Sequence, residues 1–495
     1  MGAEPSEQKR VVACFCSLFF LVASYYLIKP LRNSQFLKEF LPENLPWVYL
    51  GVSSLSFIAT KTFSAYYEKL NKARLLSATF IIICACKIAF FGGLMVGGKL
   101  VTVAFFLWGS IYFLLALAAI WGCINEIFRA EQGERCYGFI ATGATMGCIA
   151  GSEISSRLTA IGPALLLISA VFMVLALLFI LAARRLSDSA QPAVVEKKSL
   201  PSNGILAELL ELWSSRYLRS IAVMVLCLAV YTTGIDFISQ KQMDKRLAER
   251  QYMETLTSFN DELNRQISIR DPHQMNEKGF AFVYELRQSE TAQVTSQVAK
   301  FASENHLAPE IASKLPAAYE DYRKELNNRT RKFFSDTFFY QGVCGIFVLT
   351  IVCRWLFLFV GIPRAVQLLP FFSLVAVLIF SVPLSLLTIQ LLLVLGGTFN
   401  YSLNNATKEV LYTVTSTDAK YKIKPLIEGP VMRSGDMVAS VVSLGCAATV
   451  HLLNWPTQYK DYLYLVFCSA CVLVWLREIS WAGREYERLR DVPPQ

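Results

Sequence analysis

Apolar residues in this chain are concentrated in blocks of about 20, separated by short polar segments. A helix of about 20 residues is needed to cross a hydrocarbon layer of about 30 Å. The pattern therefore predicts an all-α membrane protein with twelve transmembrane helices. Their expected ranges are 11–29, 46–67, 74–97, 101–127, 137–158, 162–184, 217–239, 334–359, 364–384, 386–411, 428–453 and 460–478.

Two polar stretches interrupt this series. The first contains Pro192 and the Lys197-Lys198 pair, which is typical of a linker. The second contains 15 basic and 14 acidic residues in 94 positions, and its apolar residues recur at helical spacing from Leu256 to Leu326. We therefore predict a six-helix half at 1–184, a cytoplasmic linker at 185–215, a second six-helix half at 216–239 and 334–480, an inserted helical domain on the non-cytoplasmic side at 240–333, and a cytoplasmic tail at 481–495.

Composition narrows the class of protein further. Only 17% of the 495 residues are charged and 54% are hydrophobic, whereas a soluble protein has about 25% charged residues. A cytosolic enzyme is therefore excluded, and the lipid bilayer is the expected environment. The net charge of +9 has two explanations that do not involve nucleic acid: basic cytoplasmic loops, or a pathway for an anionic solute.

The basic residues of the short loops lie mainly on one side of the predicted membrane. Loops on the cytoplasmic side of a membrane protein are enriched in Lys and Arg, so this side is expected to be cytoplasmic and to hold both termini. The residues concerned are Lys69, Lys72, Arg74, Arg129, Arg135, Arg184, Arg185, Lys197, Lys198, Lys420, Lys422 and Lys424.

Cysteine and histidine do not indicate a metal or cofactor site. Most of the 13 Cys residues lie within apolar blocks, where they act as small hydrophobic side chains, and the chain has only three His residues. No phosphate-binding loop with a Walker lysine, nucleophile elbow or zinc-protease motif occurs in a suitable setting. We expect no cofactor, no bound metal and no enzymatic activity, and we assign the glycines between Gly143 and Gly151 to close helix packing.

Two cations at the end of the first span are the clearest candidates for binding an anion. Lys29 and Arg32 are three residues apart, so they share a helix face if the helix continues past Pro30. Arg binds phosphate with a fork of donors and Lys binds it as a point charge. The alternative is that both side chains anchor the end of the span at the membrane interface.

Lys87 lies near the middle of the third span. An ionisable group at such a depth costs at least about 2.5–3.5 kcal/mol, so it usually faces a cavity or a partner. Contact with a solute and an ion pair with an acid on a neighbouring helix are both compatible with the sequence.

Further polar residues occur on otherwise apolar spans, where they are costly unless another helix or a solute uses them. Glu126 in span four could pair with Arg129, and Arg433 and Asp436 in span eleven are one turn apart, as in an intrahelical ion pair. The other polar residues of this kind are Asp236 in span seven and Asn405 and Lys408 in span ten.

These residues resemble a known family, the nucleotide (ATP/ADP) transporters of intracellular bacteria and plastids together with their bacterial relatives. The resemblance rests on Tyr25-Tyr-Leu-Ile-Lys-Pro-Leu-Arg-Asn33, Trp121-Gly-Cys-Ile-Asn-Glu126 and Ala406-Thr-Lys-Glu409. It implies a 6+6 major-facilitator-like arrangement in a bacterial inner membrane, with function in the charged residues of spans one, four, seven and ten. The matching positions are Arg32 (Lys is usual in the family), Glu126, Asp236 (Glu is usual) and Lys408.

The leading hypothesis is a secondary transporter that exchanges nucleotides or similar phosphate-bearing anions by alternating access. The cations would hold phosphate oxygens, and the acids would pair with the cations when the site is empty. The expected substrate-binding residues are Lys29, Arg32, Lys87, Glu126, Asp236, Asn405 and Lys408.

Two other functions are compatible with the sequence. The chain could be a membrane-anchored scaffold that binds a protein partner through 240–333, since balanced charge suits a docking surface. It could also be a proton-coupled symporter for another solute, with Glu126 or Asp236 titrating.

Overall fold

The computed structural model describes residues 7–69, 72–128, 130–188, 212–266, 274–289, 291–415 and 423–490. Within these ranges the chain forms helices and no strand, which confirms the predicted all-α fold. Most of the predicted linker at 185–215 lies outside the described residues. The sixth helix ends at Asp188, and the next described residue is Leu212.

Six helices form the first half of the molecule within the residues that the structure describes. Short connections of a few residues join them, so sequence neighbours run antiparallel. They are α1 (Gln8–Glu39), α2 (Leu45–Lys69), α3 (Lys72–Val96), α4 (Lys99–Ile127), α5 (Ala130–Arg157) and α6 (Leu165–Asp188).

In the described part of the chain, nine helices form the second half and the segment inserted in it. The long helices are α7 (Arg216–Thr255), α11 (Pro309–Val360), α12 (Ile362–Ile379), α13 (Leu386–Tyr412), α14 (Lys424–Leu452) and α15 (Tyr459–Arg490). Three short helices lie between α7 and α11: α8 (Thr257–Gln266), α9 (Glu277–Glu285) and α10 (Thr291–Glu304).

Ten of the helices in the described part are long and apolar enough to cross a membrane. The helices at the predicted second and fifth spans, α2 and α5, are not among these ten, although they contain 25 and 28 residues. At 1.5 Å per residue both exceed the thickness of about 30 Å of a hydrocarbon core. They are less apolar because α2 carries several serines and α5 is rich in glycine.

Helix α5 lies directly against α1 through its glycines. A Cβ atom at Gly143 would lie 2.5 Å from the carbonyl oxygen of Phe15, and one at Gly151 would lie 2.5 Å from that of Ala23. A Cβ at Gly147 would collide with the carbonyl of Phe19. Small residues at this spacing let two backbones approach closely. The glycine segment therefore serves helix packing, as predicted.

The segment 240–333 is built partly from the ends of two membrane helices. Both α7 and α11 run without interruption across its predicted limits. Most of its regularly spaced apolar residues in the described part, including Phe259, Tyr319 and Tyr322, are buried. They belong to one hydrophobic core with the second half and with part of the first half, such as Phe36. Residues 267–273 of this segment lie outside the described residues.

We name the two ends of the molecule the insert side and the terminal side, after the segments that lie at each. The insert side is the face at which α1 ends and 240–333 lies, since Arg323 of α11 contacts Glu39. The terminal side is the face at which α1 begins, α13 ends and α15 ends. There Tyr217, near the start of α7, donates a hydrogen bond to the carbonyl of Leu411.

Candidate functional site

A cavity of about 490 Å³ lies between the two halves. This volume is within the range of small-molecule sites, about 300–1,000 Å³. Its walls come from α1, α2 and α4 of the first half and from α7, α11, α12, α13 and α14 of the second. One wall includes Asn400 and Tyr401, which lie in a π-helical turn of α13, a feature that is frequent at functional sites. The charged residues that line the cavity are Lys29, Arg32, Asp236, Arg433 and Asp436.

Arg32 is held in the cavity wall by neutral partners. Its Nη1 donates to the hydroxyl of Ser110 at 2.7 Å, and its Nε and Nη2 donate to Oδ1 of Asn33 at 3.1 and 2.9 Å. The guanidinium lies 4.5 Å from the ring centroid of Phe106, and the side chain is buried. No carboxylate within the described residues forms an ion pair with it. Its positive charge is therefore not compensated by an adjacent acid.

Lys29 lies among aromatic rings on the same helix face as Arg32. Its Nζ is 4.0 Å from the ring centroid of Phe338 and 5.2 Å from that of Tyr26. The first helix continues through Pro30, so both cations line one cavity, as the sequence spacing predicts. Ring faces attract a cation electrostatically, so these aromatic rings help to hold the ammonium group in the cavity wall.

Asp236 faces the cavity from α7. Tyr49 of α2 donates a hydrogen bond from its hydroxyl to Oδ2 of Asp236, and Gln240 donates to the same oxygen at 2.7 Å. The Tyr49 bond connects the two halves. It also places a carboxylate in the same cavity as the two cations of α1.

Arg433 and Asp436 form the predicted intrahelical ion pair, with Nη1 and Oδ2 3.1 Å apart. Asp436 also accepts a hydrogen bond of 2.7 Å from Thr233. Both charged side chains line the cavity, which the sequence-based list of site residues did not include. The sequence does show two opposite charges one turn apart on an otherwise apolar helix. Helical spacing alone does not show whether that helix face is turned toward the cavity.

Lys87 is placed away from the cavity. Its Nζ donates to the hydroxyls of Ser24 and Ser169 at 2.5 and 2.6 Å, and it lies 5.0 Å from the ring centroid of Tyr112. The side chain is fully buried among α1, α3, α4 and α6. The structure thus gives Lys87 neutral partners inside the first half and does not group it with Lys29 and Arg32.

The remaining predicted residues lie toward the terminal side. Glu126 is 3.8 Å from Arg184, while its predicted partner Arg129 is outside the described residues. Lys408 forms an ion pair of 2.9 Å with Glu428. Asn405 is exposed and donates to the carbonyl of Tyr401 at 3.3 Å. The structure does not bring Glu126, Asn405 and Lys408 to the wall of the cavity.

A larger cleft of about 1,080 Å³ lies on the insert side of the second half. Its charged lining has both signs, and Lys241 bridges Glu43 at 3.5 Å and Asp461 at 2.7 Å. None of the predicted site residues lines it. The cavity between the halves, whose Lys29 and Arg32 form no ion pair within the described residues, is therefore the stronger candidate for a solute site.

Solved structures of similar fold cover nearly the whole chain. The nucleoside transporter NupG matches over 99% of this chain and 100% of its own, with a TM-score of 0.55 and 11% identity. A bacterial homolog of the human lysosomal transporter Spinster, inward-facing and unoccupied, matches over 99% and 100%, with a TM-score of 0.50 and 11% identity. No family model matches the chain, and no curated protein matches its sequence. At this level of identity the likeness establishes the fold, so the chain is an all-α, multi-pass membrane protein with the fold of major-facilitator transporters.

Proposed function

We propose that the protein is a secondary transporter that exchanges nucleotides, such as ATP and ADP, across a membrane. The observation that carries this proposal is the placement of Lys29 and Arg32 in one cavity between the two halves, without an ion-paired carboxylate. In a major-facilitator fold, a central site between rocking halves is where a solute binds during alternating access. Two such cations suit a phosphate-bearing anion.

The walls of the cavity also suit a nucleoside. Tyr25 and Phe113 stack with centroids 4.0 Å apart, and Phe106 and Phe338 lie under the two cations. A base can stack on such rings while its phosphates face Lys29 and Arg32. A fold of the same kind is used by NupG, a nucleoside transporter.

The other predicted residues take roles outside the cavity in this proposal. We assign Asn405, Lys408 and Glu126 to the route by which a solute would pass between the terminal side and the cavity. Lys87 ties α1 to α6 through Ser24 and Ser169 and so positions the helix that carries the binding cations. We infer further that the terminal side is cytoplasmic in a bacterial inner membrane, because the basic residues Arg135, Arg184 and Lys424 lie there.

The experiment is nucleotide exchange by the purified full-length chain in liposomes. Vesicles preloaded with ADP should take up labelled ADP, and vesicles without internal nucleotide should take up much less. Arg32→Ala should raise the apparent KM for ADP about ten- to a hundredfold, because a hydrogen bond to a charged group contributes about 1.5–3 kcal/mol. Arg265→Ala is the matched control, since Arg265 is exposed in the insert and 70% accessible.

Two results would contradict different parts of this proposal. If preloaded vesicles accumulate no labelled ADP or ATP while the protein is folded and correctly inserted, nucleotide exchange is wrong. If exchange occurs but Arg32→Ala behaves like Arg265→Ala, the cavity between the halves is not the binding site.

A further inference from the structure

We propose that the large cleft on the insert side of the second half binds the headgroup of an anionic phospholipid, and that it recognises a single phosphodiester. The cleft is separate from the cavity between the halves, and lipid binding there does not depend on which solute is transported. Its position, its charge and its apolar floor point to the same ligand.

The cleft lies at the level where several membrane helices end. Two short connections line it: 380–384 joins α12 to α13, and 454–458 joins α14 to α15. A further wall is formed by α7 between Ile238 and Glu249, at and beyond the predicted end of its span. A span ends where the hydrocarbon core ends. The walls of the cleft therefore reach the layer in which lipid headgroups lie.

The rim of the cleft has the side chains that are typical of this layer. Trp455 and Tyr462 line the cleft and are half-exposed, and Trp and Tyr are enriched at membrane–water interfaces. Leu452 and Leu387, close in sequence to the two connections, are 79% and 66% exposed. Hydrocarbon is the environment in which such apolar side chains are exposed without cost. The cleft therefore borders lipid as well as water.

Most of the charges in the cleft neutralise one another. Lys241 pairs with Glu43 at 3.5 Å and with Asp461 at 2.7 Å. Arg246 pairs with Glu249 at 3.2 Å. These groups are held by protein partners, so they are not the ones that a ligand would meet first.

Lys245 and Lys460 are the cations that remain for a ligand. Both line the cleft, and neither forms an ion pair in the part of the chain that the structure describes. Four cations and three acids line the cleft, so its net charge is +1 with His451 neutral. A phosphodiester carries one negative charge and would neutralise the cleft. A nucleotide or free phosphate with a higher charge would leave it negative.

The floor of the cleft is apolar and favours a lipid over a soluble phosphate. The buried side chains that form it are Ile238, Phe380, Leu384, Val450 and Leu465. The esterified glycerol and the first carbons of the acyl chains can cover this surface, whereas a free phosphate would leave it in contact with water. A volume of about 1,080 Å³ accommodates a headgroup together with these parts of the lipid. Basic pockets between membrane helices bind anionic headgroups by this combination of charge and apolar surface.

The first test uses Trp455 as a reporter in a bilayer. The full-length chain is reconstituted in phosphatidylcholine vesicles that contain a rising fraction of brominated phosphatidylglycerol, whose bromine atoms quench nearby Trp. The Trp455 signal is the difference between the wild type and Trp455→Phe. Brominated phosphatidylglycerol should quench it at about a tenfold lower fraction than brominated phosphatidylcholine, because each cation near a membrane surface strengthens anionic-lipid binding about fivefold.

The double variant Lys245→Ala with Lys460→Ala should lose this preference for phosphatidylglycerol. The matched control is Lys300→Ala with Lys314→Ala, which removes two exposed lysines of the insert and should behave like the wild type. If the first double variant does not fold, Lys245→Gln alone changes an exposed side chain and should lose part of the preference. Equal quenching by the two brominated lipids in the wild type, or equal behaviour of the two double variants, would overturn the proposal.

The second test distinguishes a lipid from a soluble phosphate. Native mass spectrometry of the full chain in detergent should show one retained phosphatidylglycerol, and this adduct should be lost in the double variant of Lys245 and Lys460. An excess of inorganic phosphate or of ADP should not displace it. Displacement by either would show that the cleft binds a soluble phosphate, and the lipid assignment would then be wrong. Neither test measures transport, so its outcome is separate from that of the ADP exchange experiment.

Discussion

The polar contacts on the insert side differ from those on the terminal side in burial and in what they join. On the insert side, Arg287 and Asp244 are 1% and 0% exposed, and Arg287 also donates to the carbonyl of Leu37 in the first half at 3.2 Å. On the terminal side, Lys408 and Glu428 are 14% and 32% exposed, and both belong to the second half. The contacts that hold the halves together are thus concentrated where the insert lies.

The insert contributes several of these contacts. Arg323 pairs with Glu39 at 2.7 Å, and Lys99 donates to the carbonyl of Gln288. Together with Arg287 they attach 240–333 to the end of α1 and the start of α4. Buried charges of this kind are costly to separate, whereas exposed pairs contribute about 0–1 kcal/mol. This difference in burial between the ion pairs of the two sides indicates that opening the insert side requires a rearrangement of the insert.

The largest expected effect comes from removing one member of the buried pair. Arg287 makes two hydrogen bonds with Asp244, of 2.9 and 2.8 Å, so Asp244→Ala leaves a buried guanidinium without its partner. This should destabilise the protein by about 3–5 kcal/mol. Thermal unfolding of both proteins in detergent measures this loss of stability. The double variant Asp244→Leu with Arg287→Met should cost less than either single change, and simple additivity would contradict the assignment.

A smaller effect is expected on the terminal side. Lys408→Ala removes a partly exposed ion pair within one half, so the unfolding free energy should fall by no more than about 1 kcal/mol. Exchange of ADP should nevertheless slow, because a cation on the proposed solute route is lost. The matched change is Lys300→Ala, in the insert, where the side chain is 78% exposed. A large stability loss in Lys408→Ala would remove the contrast between the two sides.

The smallest effect concerns an exposed carboxylate of the insert. Hydrogen bonds from Arg329 and Arg250 lower the pKa of Glu254 from 4.5 to about 2. A carboxylate whose pKa is lowered by folding stabilises the protein above its unfolded pKa, and this contribution is lost as the pH falls toward 2. Because the side chain is 41% exposed, Glu254→Gln should cost at most about 1 kcal/mol at neutral pH. The unfolding free energies of the wild type and Glu254→Gln, measured between neutral and acidic pH, should become equal at low pH. A difference that does not change with pH would contradict the assignment of this stability to the lowered pKa of Glu254.

The helices could be predicted from the sequence because a membrane span is a local property. A run of apolar residues long enough to cross the bilayer identifies ten of the helices in the described part, and less apolar runs lie where α2 and α5 form. The common face of Lys29 and Arg32 was also predictable, since it depends only on their spacing along one helix.

The partners of the polar residues were not predictable in the same way. Lys87 meets Ser169, and Asp236 meets Tyr49, which is 187 positions away in the chain. Such pairs depend on how each helix is rotated about its axis and which helix lies beside it. An apolar span surrounded by lipid and by other apolar helices carries only a weak signal of that rotation, so Arg433 and Asp436 were not assigned to the cavity.

The continuity of α7 and α11 has a mechanical consequence. A helix of 40 residues is about 60 Å long and stiff, so α7 acts as a lever whose outer arm carries the insert. Because the helix is continuous, a tilt of its membrane part also moves the outer part that carries the insert. An antibody fragment bound to the insert should therefore restrain the second half, and under the proposed transport cycle it should slow exchange without contacting the membrane.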